Sequence, residues 1–140
     1  MHYLVAFTSR EESQQTVAFA ESLAASSKAA ITLVKLVADP HSVGVVAELI
    51  ATDDPSQYAN DEVHQVVQEL TQREIKANAI VRTVDDVGKG LVEIASEISA
   101  DMIFVGTHEI GKAYDLLPKA DPIADYVVSH CPINVVLVRP

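Results

Sequence analysis

Five short runs of apolar residues, set apart by segments with helical spacing, constrain the fold of this chain more than any other feature. The runs are Tyr3 to Phe7, Ile31 to Val37, Ala79 to Val81, Met102 to Val105 and Val135 to Val138. A strand with one wet face alternates apolar and polar residues, whereas a strand covered on both faces is apolar almost throughout. These five therefore read as strands buried on both sides. Parallel neighbours need a crossover long enough to hold a helix, and such crossovers are right-handed. The pattern predicts an α/β domain: a doubly wound, five-stranded parallel sheet with helices on both faces.

The intervening segments supply those helices. Val17, Phe19, Ala20, Leu23 and Ala24 form an apolar stripe behind the polar lead Ser9-Arg10-Glu11-Glu12. Val63, Val66, Val67 and Leu70 recur at i, i+3, i+4 and i+7, with Asn60 or Asp61 as the expected cap and acidic residues in the first turn, where the helix dipole favours them. A third pattern, Val87, Leu91, Ile94, Ala95 and Ile98, follows Asp85-Asp86; a fourth, Ile123, Ala124, Val127 and Val128, follows Asp121-Pro122. Asp39 to Ala59 is long for a strand-to-helix connection. It reads as a flap over the sheet edge, in which Val45, Val46, Leu49 and Ile50 could form a short helix.

At 140 residues, close to the roughly 150 expected of one domain, the chain reads as a single unit over 1–140, with no internal repeat or linker. An apolar fraction of 49% is ample for a core without staples. Twenty acidic residues against ten basic ones give a net charge of -10, which repels nucleic acid and anionic lipid headgroups, so neither is an expected partner. The lone Cys131 makes neither an intrachain disulfide nor a cysteine-rich metal cage. Met1-His2-Tyr3-Leu4 lacks the basic opening of a signal peptide, and no apolar run approaches the about 18 residues of a membrane span. A cytoplasmic location is the expectation.

Open parallel sheets bind ligands beyond the carboxyl ends of their strands, where the strand order reverses. That rule selects Thr8 and Ser9 after the first strand, Val37 to Asp39 after the second, and Gly106-Thr107-His108 after the fourth. Loops there can present backbone amides and helix N-termini, the usual anion site.

The opening Leu4-Val5-Ala6-Phe7, the strand Ile31 to Val37, the segment Asp101-Met102-Ile103-Phe104-Val105-Gly106-Thr107, and the end Ile123-Ala124-Asp125-Tyr126-Val127-Val128 into Val135-Val136-Leu137-Val138-Arg139 together resemble the universal stress protein family. The resemblance covers essentially the whole chain and is most specific towards its end. It implies a Rossmann-like sheet in the order 3-2-1-4-5 flanked by four helices, a homodimer, and a family in which many members bind ATP.

ATP-binding members carry an aspartate just after the first strand and a loop after the fourth that reads Gly, two residues, Gly, nine residues, Gly, then Ser or Thr. This chain departs from that pattern. Thr8 stands in place of the aspartate; Gly106 matches the first glycine, but Glu109 takes the second position and Lys119-Ala120 the last two. Aligned on the following helix, Asp121-Pro122 falls there instead. Glycine lets the backbone approach a phosphate closely, and a free helix N-terminus donates N–H groups. Asp121 would cap that helix with its own carboxylate, and Pro122 removes an N–H. Like charges about 4 Å apart repel by roughly 4 kcal/mol at an effective dielectric near 20, so Glu109 and Asp121 together would largely cancel a micromolar triphosphate site worth about 8 kcal/mol. Lys112 and Lys119 in the same loop could neutralise a phosphate in another geometry.

The remaining candidates have plain structural readings beside the functional ones. His108 at the cleft mouth could act as a general base, making the chain a small hydrolase or phosphotransferase, but no motif places a nucleophile and an orienting acid beside it. His2, His41, His64 and His130 lack zinc-site spacing, so no metal is expected. Gly88-Lys89-Gly90, at the start of the third helix, hints at a phosphate loop without the Walker spacing or the hydroxyl residue after the lysine, and reads more simply as a glycine-rich turn. Asp53-Asp54 and Asp85-Asp86 read as solvated charge and helix-dipole partners, and Cys131 before Pro132 as a small buried hydrophobe. Val135, Val136, Leu137 and Val138 form an apolar edge strand that needs a cover, and in the resembling family that strand pairs across a dimer axis. The leading expectation is thus a non-catalytic regulatory or protective homodimer with no cofactor, acting through a protein partner. Its alternative is an ATP or AMP sensor whose cleft is lined by Thr8, Ser9, Val37, Gly106 and Thr107, with Lys112 or Lys119 on phosphate.

Overall fold

The computed structural model describes residues 1–39, 55–107 and 122–140, and for 55–60 the backbone only. Nine elements follow one another along the described chain: β1 (His2–Ala6), α1 (Gln14–Ser27), β2 (Ala30–Ala38), α2 (Pro55–Gln72), β3 (Ala77–Val84), α3 (Val87–Glu97), β4 (Met102–Gly106), α4 (Pro122–His130) and β5 (Asn134–Val138). The strands form one sheet in the order β3-β2-β1-β4-β5, with every pairing parallel. In the central strand Leu4 lies between Thr32 and Ile103, and Val5 between Leu33 and Phe104.

Strand parity divides the core in two. Tyr3, Val5, Ile31, Leu33 and Phe104 face α1 and α2, where Ala20, Val63 and Leu70 meet them. Leu4, Val34, Leu36, Ile103 and Val105 face α3 and α4, where Leu91, Ile94 and Val127 close the second core. Both faces of β1, β2 and β4 are dry, which is why those strands read as continuous apolar runs. The edge strands β3 and β5 hold no fully buried residue and so are not covered on both sides as their sequences suggested.

Several local expectations need correcting. On α1, Val17, Ala20 and Ala24 are buried, but Phe19 is 47% and Leu23 37% exposed, and Thr16 is buried in their place. Val128 on α4 is likewise exposed. Helix α2 starts at Pro55, so Asn60 and Asp61 lie inside it rather than at its cap. Strand β3 extends beyond Ala79 to Val81 on both sides. Gly88-Lys89-Gly90 is not a turn but the start of α3, with Asp86 as N-cap accepting from the Lys89 N–H at 3.2 Å. A Cβ on Gly88 would stand 3.0 Å from Tyr126 Cβ, and one on Gly90 2.9 Å from Leu36 Cδ1, so both glycines permit close packing. Of the segment read as a flap, residues 40–54 lie outside the described residues and 55–59 belong to α2. Cys131 is free and half-buried against the second core. No described helix is long and apolar enough to cross a membrane.

Candidate functional site

The connections leave the sheet in opposite directions from β1 and β4, so the loops at their carboxyl ends splay apart and open a crevice. A cavity of about 620 Å³ occupies that place. Its floor is apolar: Val34, Leu36 and Val105 from the sheet, Val87 and Leu91 from α3, and Ile123 from α4. Its walls are polar, formed by Thr8 to Ser13 apart from Arg10, by Thr16 of α1, by Gly106-Thr107, and by Arg139 beyond β5.

Local chemistry shapes each wall. The Phe7 N–H donates to the Val34 carbonyl at 2.9 Å, prolonging the β1–β2 ladder. The chain then turns: the Thr8 N–H donates to Ser13 Oγ at 2.8 Å, the Glu12 N–H to Ser9 Oγ at 3.0 Å, and the Ser13 N–H to the Ser9 carbonyl at 2.9 Å. Serine hydroxyls favour such turns because they replace backbone partners locally. Opposite, the Thr107 N–H donates to the Val138 carbonyl at 2.9 Å, which ties the β4 exit to β5. A Cβ on Gly106 would lie 2.8 Å from Thr16 Oγ1, so glycine at the end of β4 is what lets α1 come down over the crevice. Arg10 points away from the cavity, and its guanidinium pairs with Glu69 at 2.8 Å.

Among the residues expected from sequence, Thr8, Ser9, Gly106 and Thr107 lie together on the cavity wall. Val37 does not. It has the opposite parity to Val34 and Leu36, which face the cavity instead. Lys112 and Lys119 fall outside the described residues, as do His108, Glu109 and Asp121. Sequence reasoning missed Glu11, Glu12, Ser13, Thr16 and Arg139. For Arg139 the signal was available: β5 lies beside β4, so the residue leaving β5 must emerge at the same end. Among the described residues no group of three His, Cys, Asp or Glu side chains could hold a metal ion. On the far edge, β5 pairs among the described residues only with β4; Val135 packs on the second core, Val136 and Val138 on the first, and Leu137 is 45% exposed.

These features define a class, the doubly wound α/β domain with a crevice at its topological switch point. The chain belongs to the universal stress protein family, whose model matches residues 1–139. Solved structures agree in fold. UspA from Lactobacillus plantarum is 20% identical, with 99% of this chain and 97% of that one covered and a TM-score of 0.75. The universal stress protein from Archaeoglobus fulgidus in complex with dAMP is 15% identical, with coverages of 99% and 97% and a TM-score of 0.69. A family protein from Arabidopsis thaliana with AMP bound is 12% identical, with coverages of 99% and 91% and a TM-score of 0.67. No curated protein matches the chain.

Proposed function

We propose that this chain is a non-catalytic regulatory protein whose cleft takes a nucleoside monophosphate of the AMP kind and whose occupied state is read by a protein partner. The observation that carries this reading is the cavity itself. About 620 Å³ lies within the roughly 300–1,000 Å³ of small-molecule sites, and an apolar floor ringed by hydroxyls suits a flat base and a ribose. The described lining holds two carboxylate side chains, Glu11 and Glu12, against one cationic side chain, Arg139. One phosphate beside Arg139 is tolerable there; three would meet net repulsion. The departures at Glu109, Lys119 and Ala120 from the family's ATP loop point the same way. Two family structures with this fold hold dAMP and AMP. A non-catalytic role is supported by the serines of the cleft: Ser9 and Ser13 hold the backbone of their own turn rather than facing a base.

The experiment is a thermal-shift series with adenosine, AMP, ADP and ATP. At a concentration 100 times its dissociation constant a ligand stabilises by about 2.7 kcal/mol, a rise on the order of 10 °C in a domain of this size. AMP should give that rise and ATP much less. No shift with AMP removes the reading.

The same proposal includes a homodimer through β5. Edge strands invite pairing, and Leu137 on β5 is exposed, as are Phe19 on α1 and Val128 on α4, two helices that both contact β5. Sedimentation of the wild type against Leu137→Glu tests it; a monomeric wild type at micromolar concentration overturns it.

A further inference from the structure

We infer that Arg10 is the positioning residue of the cleft, a latch that fixes the wall between β1 and α1 by fastening it to α2. The wall runs from Thr8 to Ser13, and all of these residues line the cavity except Arg10. Arg10 turns the other way. Its backbone N–H donates to the Glu62 carboxylate, and its guanidinium pairs with Glu69 at 2.8 Å. Glu62 and Glu69 are two helical turns apart and so share one face of α2. That helix is anchored by Val63, Val66 and Leu70, all buried, so its carboxylates form a fixed post.

The other bonds of the wall serve a different purpose. Those from Thr8 to Ser13, Glu12 to Ser9 and Ser13 to Ser9 are internal and set the shape of the turn, not its distance from the sheet. From outside the turn, Lys35 donates to the Thr8 carbonyl at its root, while Arg10 holds its tip. Loss of the tip contacts frees Ser9, Glu11 and Glu12 to swing from the cavity while the base of the loop stays tied. Both partners of the ion pair are more than 40% exposed, so the latch adds little to global stability and its effect is local.

The affinity half of this inference rests on the reading that the cleft takes AMP; the ordering half does not. Amide hydrogen exchange on the free protein therefore comes first, comparing wild type with Arg10→Ala, Glu69→Gln and Arg10→Lys. Expected is faster exchange at residues 9–13 in Arg10→Ala, by about two- to fivefold, with Val5, Leu33 and Phe104 amides and the melting temperature unchanged. Arg10→Lys should restore most of the protection, and raised salt should loosen the wild-type loop while leaving Arg10→Ala indifferent. AMP affinity should fall about two- to fivefold in Arg10→Ala. Loop exchange within twofold of wild type, or equal acceleration in the core, overturns the latch, and so does a loosened loop with unchanged AMP affinity. If AMP binds neither protein, the nucleotide reading falls and loop exchange alone decides the latch.

Discussion

Replacing Gly88 by alanine separates two explanations of Gly88-Lys89-Gly90. If the glycines serve a phosphate, the substitution leaves stability level or higher, because alanine is favoured over glycine by about 1 kcal/mol within a helix. If they serve packing, the new methyl meets Tyr126, with Cβ at 3.0 Å and Cγ and Cδ1 at 3.2 Å. A Cβ cannot rotate away, so α3 and α4 must part by a few tenths of an ångström. Overpacking of this kind costs about 1–3 kcal/mol, which exceeds the propensity gain. The net is a loss of about 1 kcal/mol, a fall of roughly 4 °C by calorimetry. Lys89→Ala, exposed between the two glycines, should change stability by less than about 0.5 kcal/mol. Adding Tyr126→Ala to Gly88→Ala removes the ring contacts but leaves Cβ, so a double-mutant cycle should show positive coupling. A melting temperature for Gly88→Ala at or above that of wild type refutes the packing explanation.

Phe104→Ala should cost about 3–5 kcal/mol in a urea titration, because the ring is fully buried and lies 5.1 Å from that of Tyr3. Lys28, Glu74 and Ser99 hold positive φ values of 58°, 65° and 53°. Glycine at each should stabilise by about 0.5–1 kcal/mol, near-additively since the sites are separate, and an unchanged midpoint for the triple variant would count against it. Hydrogen bonding from Arg10 lowers the pKa of Glu69, and that from Arg82 lowers the pKa of Glu97. A lowered carboxylate pKa contributes above the unfolded value and is lost as pH falls through the folded one. Intrinsic-rate-corrected exchange at residues 9–13 should therefore be level from pH 7 to about pH 5 and rise only in stronger acid. A rise centred near neutrality would contradict that sign.

Much of the fold was legible because dryness on both faces writes itself into a strand one residue at a time: Leu4 and Val5 face opposite cores, and both must be apolar. Burial on α1 was less legible. Its Ala20 and Ala24 bring the helix close to the sheet, and Gly106 opens room for Thr16, so a threonine is buried while Phe19 is left at the flank. The lining of the cavity was legible where topology alone decides, at Thr8, Ser9, Gly106 and Thr107. It failed at Val37, where side-chain parity decides, and at Gly88, whose contact with Tyr126 is a tertiary matter that no local pattern carries.

The two ends of the sheet are built differently. At the amino end, α1, α2 and α3 each turn into the next strand within a few residues, with Lys28, Glu74 and Ser99 in the left-handed conformation in the three turns. Polar groups there satisfy one another. His2 Nδ1 lies 3.2 Å from the Ile98 carbonyl, which can only accept, so Nδ1 is the donor of that pair. His2 Nε2 lies 2.6 Å from Thr32 Oγ1, which is 2.6 Å from Asn78 Oδ1, while Asp101 takes the His2 N–H at 2.8 Å. At the carboxyl end three of the four connections are longer: residues 7–13, 39–54 and 107–121 connect β1, β2 and β4 to their helices, while Asp85-Asp86 alone joins β3 to α3. Short turns at one end hold the strands in register, which leaves the loops at the other free to vary in sequence without loss of the sheet. That freedom explains how Glu109 and Lys119 can stand at positions that the ATP-loop pattern of the resembling family gives to glycine, while Leu4, Val5 and Phe104 still build the core.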